Sequence, residues 1–246
     1  FITKPSGRKI GLMQRSTMQE AIAAPQMGGI VRMTGFILKM VVVIEALGAA
    51  ALLPAMIPEF GIVRGIWYAV FHSISSFCNA GFDLMGVKEP YSSLTSYTGD
   101  VAVNVIVMVL IVVGGIGFLT WDDVKRNRFH LRRYRMQSKV VLAVTCILIV
   151  LPAVFFYWKE FGMPGWEDMS VGERILASFF QSVTTRTAGY NTVDLTQLTQ
   201  SGQMIMILLM LIGGSPGSTA GGMKVTTLAV LFATAVAVFR RRPNAH

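Results

Sequence analysis

Two short polar stretches hold the residues whose types and spacing suggest chemistry. Phe71–Asp83 reads FHSISSFCNAGFD, and Phe180–Asn191 reads FQSVTTRTAGYN. Aligned on Asn79-Ala80-Gly81-Phe82 and Thr187-Ala188-Gly189-Tyr190, their glycines stand 108 residues apart. Neither stretch offers a Ser/His/Asp arrangement or an acid pair for catalysis. What they offer is backbone. A glycine lets the chain turn back, and the carbonyls of a loop at membrane depth can replace the hydration shell of a cation. The expected chemistry is ion coordination by Cys78, Asn79, Ala80 and Gly81 in one strand and by Arg186, Thr187, Ala188 and Gly189 in the other. A pair of ordinary external loops, each with a glycine turn, is the alternative; the matched repetition argues against it.

Such loops need elements to hold them. A short amphipathic helix is predicted before each, over Trp67–Phe77 and Ile175–Thr185. Eleven residues rise roughly 16 Å, about half of a bilayer core. The C-terminal end of each also points the negative end of its dipole at the loop. Apolar runs flank each loop: Thr34–Leu53, Val101–Trp121, Val140–Trp158 and Met204–Phe239. Pro54 and Pro58 are expected to end the first, with Pro54–Gly65 as an external turn. A unit of membrane helix, half-helix with loop, and membrane helix therefore occurs twice. The fold class is an all-α membrane protein of tandem re-entrant repeats. Its parts are a cytoplasmic linker (1–30), a first unit (31–121), a basic cytoplasmic loop (122–139) and a second unit (140–242).

Composition agrees. The chain of 246 residues is 53% hydrophobic and 14% charged, where soluble domains carry about 25% charged residues. The net charge of +9 does not indicate nucleic acid, because the basic residues cluster in short loops beside apolar runs, as the positive-inside rule expects. Asp122–Lys139 holds seven basic residues against two acids and is expected to be cytoplasmic; Pro54–Asn104 holds Arg64 and Lys88 against four acids. Lipid headgroups and a protein partner explain the basic loop equally well. Lys4, Arg8, Lys9 and Arg15 place the first thirty residues on the same side, with a short helix beginning at Ser16 or Thr17. Asp83, Glu89 and Asp100 either concentrate cations at a mouth or sit in a solvated loop. Glu45 and Lys39, within or near the bilayer, either face a pore or subunit, or have local partners. Gly114-Gly115-Ile116-Gly117 allows close helix packing or a bend. The two cysteines, Cys78 and Cys146, form no disulfide framework or metal site. His72, His130 and His246 show no ligand spacing.

The last apolar region is too long for one straight crossing and is interrupted by Gly213-Gly214-Ser215-Pro216-Gly217-Ser218-Thr219-Ala220-Gly221-Gly222. Irregular backbone at membrane depth must be buried or line a cavity. Two half-helices flanking a loop are expected, with Lys224 just beyond it and Arg240–Arg242 at the cytoplasmic end. The run GSTAGGMK is not a phosphate-binding loop, because Met223 separates Gly222 from Lys224 and Val225 follows.

These motifs resemble the Trk/Ktr/HKT potassium transporter family, and most closely its Ktr-type membrane subunits. The resemblance covers nearly the whole chain. It implies four such units around one pore, of which this chain matches the second and third, so the full protein is expected to extend at both ends. It also implies potassium uptake, rather than an enzyme activity, through carbonyls centred on Gly81 and Gly189. The 213–222 loop with Lys224 is the implied gate. By resemblance the protein sits in the plasma membrane of a bacterium as a homodimer and binds a cytoplasmic ring of nucleotide-binding regulatory subunits. No cofactor is implied; potassium is the transported ion and sodium a candidate coupling or activating ion. The strands lack the Gly-Tyr-Gly of strict potassium channels. An alternating-access secondary cation transporter is the rival; its signs are an inverted repeat and broken helices in both halves. Here both units begin from a basic side and only the last helix is expected to be broken.

Overall fold

The computed structural model describes residues 12–22, 30–88, 90–128 and 130–240. Lys4, Arg8, Lys9, Glu89, Arg241 and Arg242 lie outside them. The helices are α1 (Leu12–Ile22), α2 (Ile30–Phe60), α3 (Ile62–Phe77), α4 (Val101–Gly115), α5 (Phe118–Asn127), α6 (Met136–Phe155), α7 (Val171–Thr184), α8 (Gln200–Met210) and α9 (Val225–Phe239). A π turn, Phe156–Glu160, extends α6. Among the described residues the only strand-like pairing is a single bridge between Ile212 and Met223.

Among the described residues, two helices are long and apolar enough to cross a membrane: α2, with 31 residues, and α6 with its π turn, with 25. Val42, Val43 and Leu47 on α2 stay exposed. Such a surface suits hydrocarbon and not water.

Several boundaries differ from the sequence expectation. Pro54 and Pro58 do not end the first membrane helix; α2 runs through both. Each proline costs one ladder bond, but unwinding in apolar surroundings would expose more backbone groups than it relieves. The chain reverses instead at Gly61, whose φ of 77° few other residues adopt. The external turn over Pro54–Gly65 is thus one residue, and the two short helices are 16 and 14 residues long rather than eleven. Helix α1 begins at Leu12 rather than at Ser16 or Thr17. The expected single helix Val101–Trp121 is two, α4 and α5, bent by 98° at Ile116-Gly117. The glycine run there makes the bend that the sequence had left open against close packing. The last helix is therefore not the only broken one, contrary to expectation. Lys39 and the Glu45 carboxylate have no ion pair among the described residues.

The two units repeat in their bonding as well as in their helices. Ser73 on α3 donates to the Glu45 carbonyl of α2 at 2.7 Å. Ser182 on α7 donates to the Ile149 carbonyl of α6 at 2.6 Å. Ser75 closes the first loop by donating to the Phe82 carbonyl at 2.7 Å, and Thr184 closes the second on the Tyr190 carbonyl at 2.7 Å. From these anchors the first loop is one residue longer up to its glycine.

The main core lies between the units. Phe180, Val183, Ala188 and Tyr190 of the second pack with Tyr68, Met85, Val103, Val107 and Ile111 of the first. On the basic side, buried Asp123 accepts from the Arg135 amide at 3.0 Å and the Ser138 hydroxyl at 2.6 Å, fastening the loop to the start of α6.

Candidate functional site

Helices α3 and α7 bring their C-terminal ends together. The loops that follow share a backbone feature: Asn79 and Gly81 have φ of 50° and 69°, and Thr187 and Gly189 have 67° and 93°. Left-handed residues alternate with Ala80 and Ala188. Successive carbonyls of an extended strand alternate sides, and a residue of opposite hand at every second place turns them toward one side. The loops touch, since a methyl group at Gly81 would collide with the Ala188 carbonyl oxygen.

Hydrogen bonding in the loops is one-sided. The amides of Cys78, Asn79 and Ala80 donate to Ile74, Ser76 and Ser75, and those of Ala188 and Gly189 both donate to Thr184. The carbonyls of Cys78, Asn79, Ala80, Gly81, Thr187, Ala188 and Gly189 accept nothing among the described residues. Backbone carbonyls seldom stay unpaired away from water. Of the eight residues expected to coordinate, Arg186 alone has its carbonyl taken, by Asn79 Nδ2 at 3.3 Å. Its guanidinium is buried, reaching Thr145 Oγ1 at 3.3 Å and the Gly213 carbonyl at 3.5 Å, while Nε has no partner among the described residues.

The 213–222 loop lies directly against these strands. Its neck is closed by Gly213 N to Met223 O at 2.9 Å and Val225 N to Gly214 O at 3.1 Å. Its tip interlocks with the α4–α5 elbow. Ser215 and Thr219 amides donate to the Gly115 and Gly114 carbonyls at 2.9 and 3.3 Å, and the Phe118 amide donates to Gly217 at 2.8 Å. Backbone groups freed by two broken helices thus satisfy one another, which is what irregular backbone at membrane depth requires. Ser218 Oγ donates to the Ser215 carbonyl at 2.6 Å, and Gly213 packs against Gly221. Pro216 contacts the elbow at Gly117, and Gly222 lies against Thr187. Lys224 folds back to donate to the Ala220 carbonyl at 2.8 Å, not toward another helix.

Two of the acids weighed for the mouth or a solvated loop hold backbone amides, and Glu89 lies outside the described residues. Asp100 caps α4 through the Val103 amide, and Asp83 accepts from the Met85 amide. Asp168 and Asp194 instead line an open cavity of about 660 Å³ where the two outer loops meet. The Thr196 hydroxyl, with its amide, holds the Asp194 carboxyl below its ordinary range. Sequence reasoning passed over both acids, and also Ser73, Ser182 and Asn79 as bonding residues. The serines were findable, because they sit at the same place in both copies.

Two helix–loop–helix segments meeting at loops whose carbonyls accept nothing among the described residues, with apolar helices of membrane-spanning length, define an all-helical membrane protein. The chain belongs to the TrkH family, described as cation transport proteins, which matches residues 5–246. It is 39% identical to the potassium/sodium uptake protein NtpJ of Enterococcus hirae over 238 residues, covering 97% of this chain and 51% of that protein. It is 34% identical to the Ktr system potassium uptake protein B of Bacillus subtilis, covering 95% and 52%. The crystal structure of the potassium transporter TrkH from Vibrio parahaemolyticus shares the fold, with a TM-score of 0.70 and 18% identity over 92% of this chain and 47% of that one. The chain spans about half the length of the curated relatives it matches.

Proposed function

We propose that this chain forms two of the pore-lining strands of a bacterial potassium uptake protein of the plasma membrane. The observation that carries the proposal is the set of unpaired carbonyls at the ends of two converging helices. Potassium shedding its water takes up those carbonyls, and the C-terminal ends of α3 and α7 add negative potential there. Cys78–Gly81 and Arg186–Gly189 are the filter strands, and the rest of the full-length protein supplies the others. The loop from Gly213 to Gly222, with Lys224, is the gate beneath them. The basic loop faces lipid headgroups in the cytoplasm. The working assembly is a homodimer on a nucleotide-binding regulatory ring, and sodium serves as an activating ion. No enzyme chemistry is assigned.

One observation favours alternating access: both units carry a broken helix. Against it, both units begin from a basic stretch of the sequence, whereas that mechanism is built on an inverted repeat. The test is ion flux into liposomes holding purified full-length protein. Potassium flux that exceeds sodium flux and passes down its gradient without a coupled ion supports the pore. Equal fluxes, or strict stoichiometric coupling, overturn it.

A further inference from the structure

The side chain of Asn79 joins three segments that are remote in sequence. Its Nδ2 donates to the Arg186 carbonyl in the other strand. Its Oδ1 lies 3.2 Å from Thr219 Oγ1, whose proton goes chiefly to the Phe77 carbonyl at 2.8 Å. Arg186 completes a ring by reaching back to the Gly213 carbonyl at the neck of the 213–222 loop. Asn79 is itself buried and left-handed, a conformation that asparagine tolerates better than most residues but that its surroundings must hold in place. Asn79, Gly115, Arg186 and Gly214 border a cavity of about 10 Å³, room for one water molecule. Arg186 Nε, without a partner among the described residues, belongs to the same buried seam.

We propose that Asn79, Thr219 and Arg186 are positioning residues that tie the filter strands to the gate loop, so that ion preference depends on where the gate stands. This rests on the pore reading above. With the loop in place, Thr219 and Arg186 fix the Asn79 backbone and thereby the direction of its carbonyl. When the loop moves, Thr219 leaves Phe77 and Asn79, and Gly213 leaves Arg186. The first strand then relaxes, and its carbonyls hold a bare cation less selectively. Among the described residues the second strand has no matching clasp: Thr187, at the place of Asn79, has a buried hydroxyl without a partner there.

The test uses full-length protein in liposomes and reads the ratio of potassium to sodium flux beside total flux. Thr219→Val keeps the shape and removes the donor. It should lower the ratio by about three- to tenfold, the effect of one lost hydrogen bond, while Thr219→Ser restores it. If Thr219→Val does not fold, Arg186→Lys is read in the same way, because it keeps the charge but loses the guanidinium Nη2 that donates to both Thr145 and Gly213. A wild-type ratio near one sinks the pore reading itself. A selective wild type beside folded variants of unchanged ratio sinks the clasp alone.

Discussion

The α-carbon of Gly81 sits against the carbonyl of Ala188, so close that a side-chain carbon has no room. Among the described residues, nothing lies where a side-chain carbon at its counterpart Gly189 would go. Both are left-handed, so any side chain is strained at either place, by about 1–3 kcal/mol. Only Gly81 adds a collision with the neighbouring strand. Gly81→Ala should therefore reduce potassium-over-sodium preference more than Gly189→Ala, by about tenfold or more for the first. Paired flux measurements decide; equal effects would show that backbone conformation alone matters.

The elbow and the 213–222 loop share their bonds. Deleting Gly214–Ala220 should raise potassium flux several-fold by clearing the path. It should also strip partners from the Gly114 and Gly115 carbonyls, costing about 1–3 kcal/mol for each group left dry. Flux and thermal unfolding in detergent are measured on the same preparation. A folded deletion variant with unchanged or lower flux rules out the gate.

His72 and Gln181 hold the same place in the two units, before Ser73 and Ser182. His72 Nδ1 donates to the Tyr68 carbonyl at 2.7 Å, and Nε2 accepts from the Leu84 amide at 3.3 Å. Both amide atoms of Gln181 are buried without partners among the described residues. His72→Leu should cost about 1–3 kcal/mol by orphaning the Leu84 amide, and Gln181→Leu should be neutral or stabilising. Thermal unfolding of full-length protein tests this; a large loss for Gln181→Leu means the amide is bonded to a part of the protein outside the described residues.

Topology can be read by labelling. Arg128 lies in the basic loop, while Tyr91 is fully exposed on the side of the outer cavity. With Cys78 and Cys146 replaced by serine, Tyr91→Cys should react with an impermeant maleimide on intact cells, and Arg128→Cys only after permeabilisation. The opposite pattern inverts the orientation.

Much of this was legible in the chain. Apolar runs announced the long helices, and the two Ala-Gly-aromatic tails announced the repeat, because membrane depth allows few other structures. Proline misled at 54 and 58, since its cost is small beside that of opening a helix in lipid. The clasp was invisible for a different reason. Asn79, Arg186 and Thr219 have no shared periodicity, and only the folding of two units against each other makes them neighbours. The α4–α5 break had a visible signal in its glycines, but glycine serves packing and bending alike, and the choice rests on the loop that docks there.

The interlock of the elbow with the 213–222 loop also sets an order of assembly. Gly114 and Gly115 leave the ribosome about a hundred residues before Ser215 and Thr219, the groups that satisfy them. During synthesis those carbonyls cannot rest in hydrocarbon. The first unit must therefore wait in a wet or protein-lined place, with α4 incompletely seated, until the second arrives. Truncated chains ending before residue 213 should be caught by membrane quality control, even though every helix of their first unit is present.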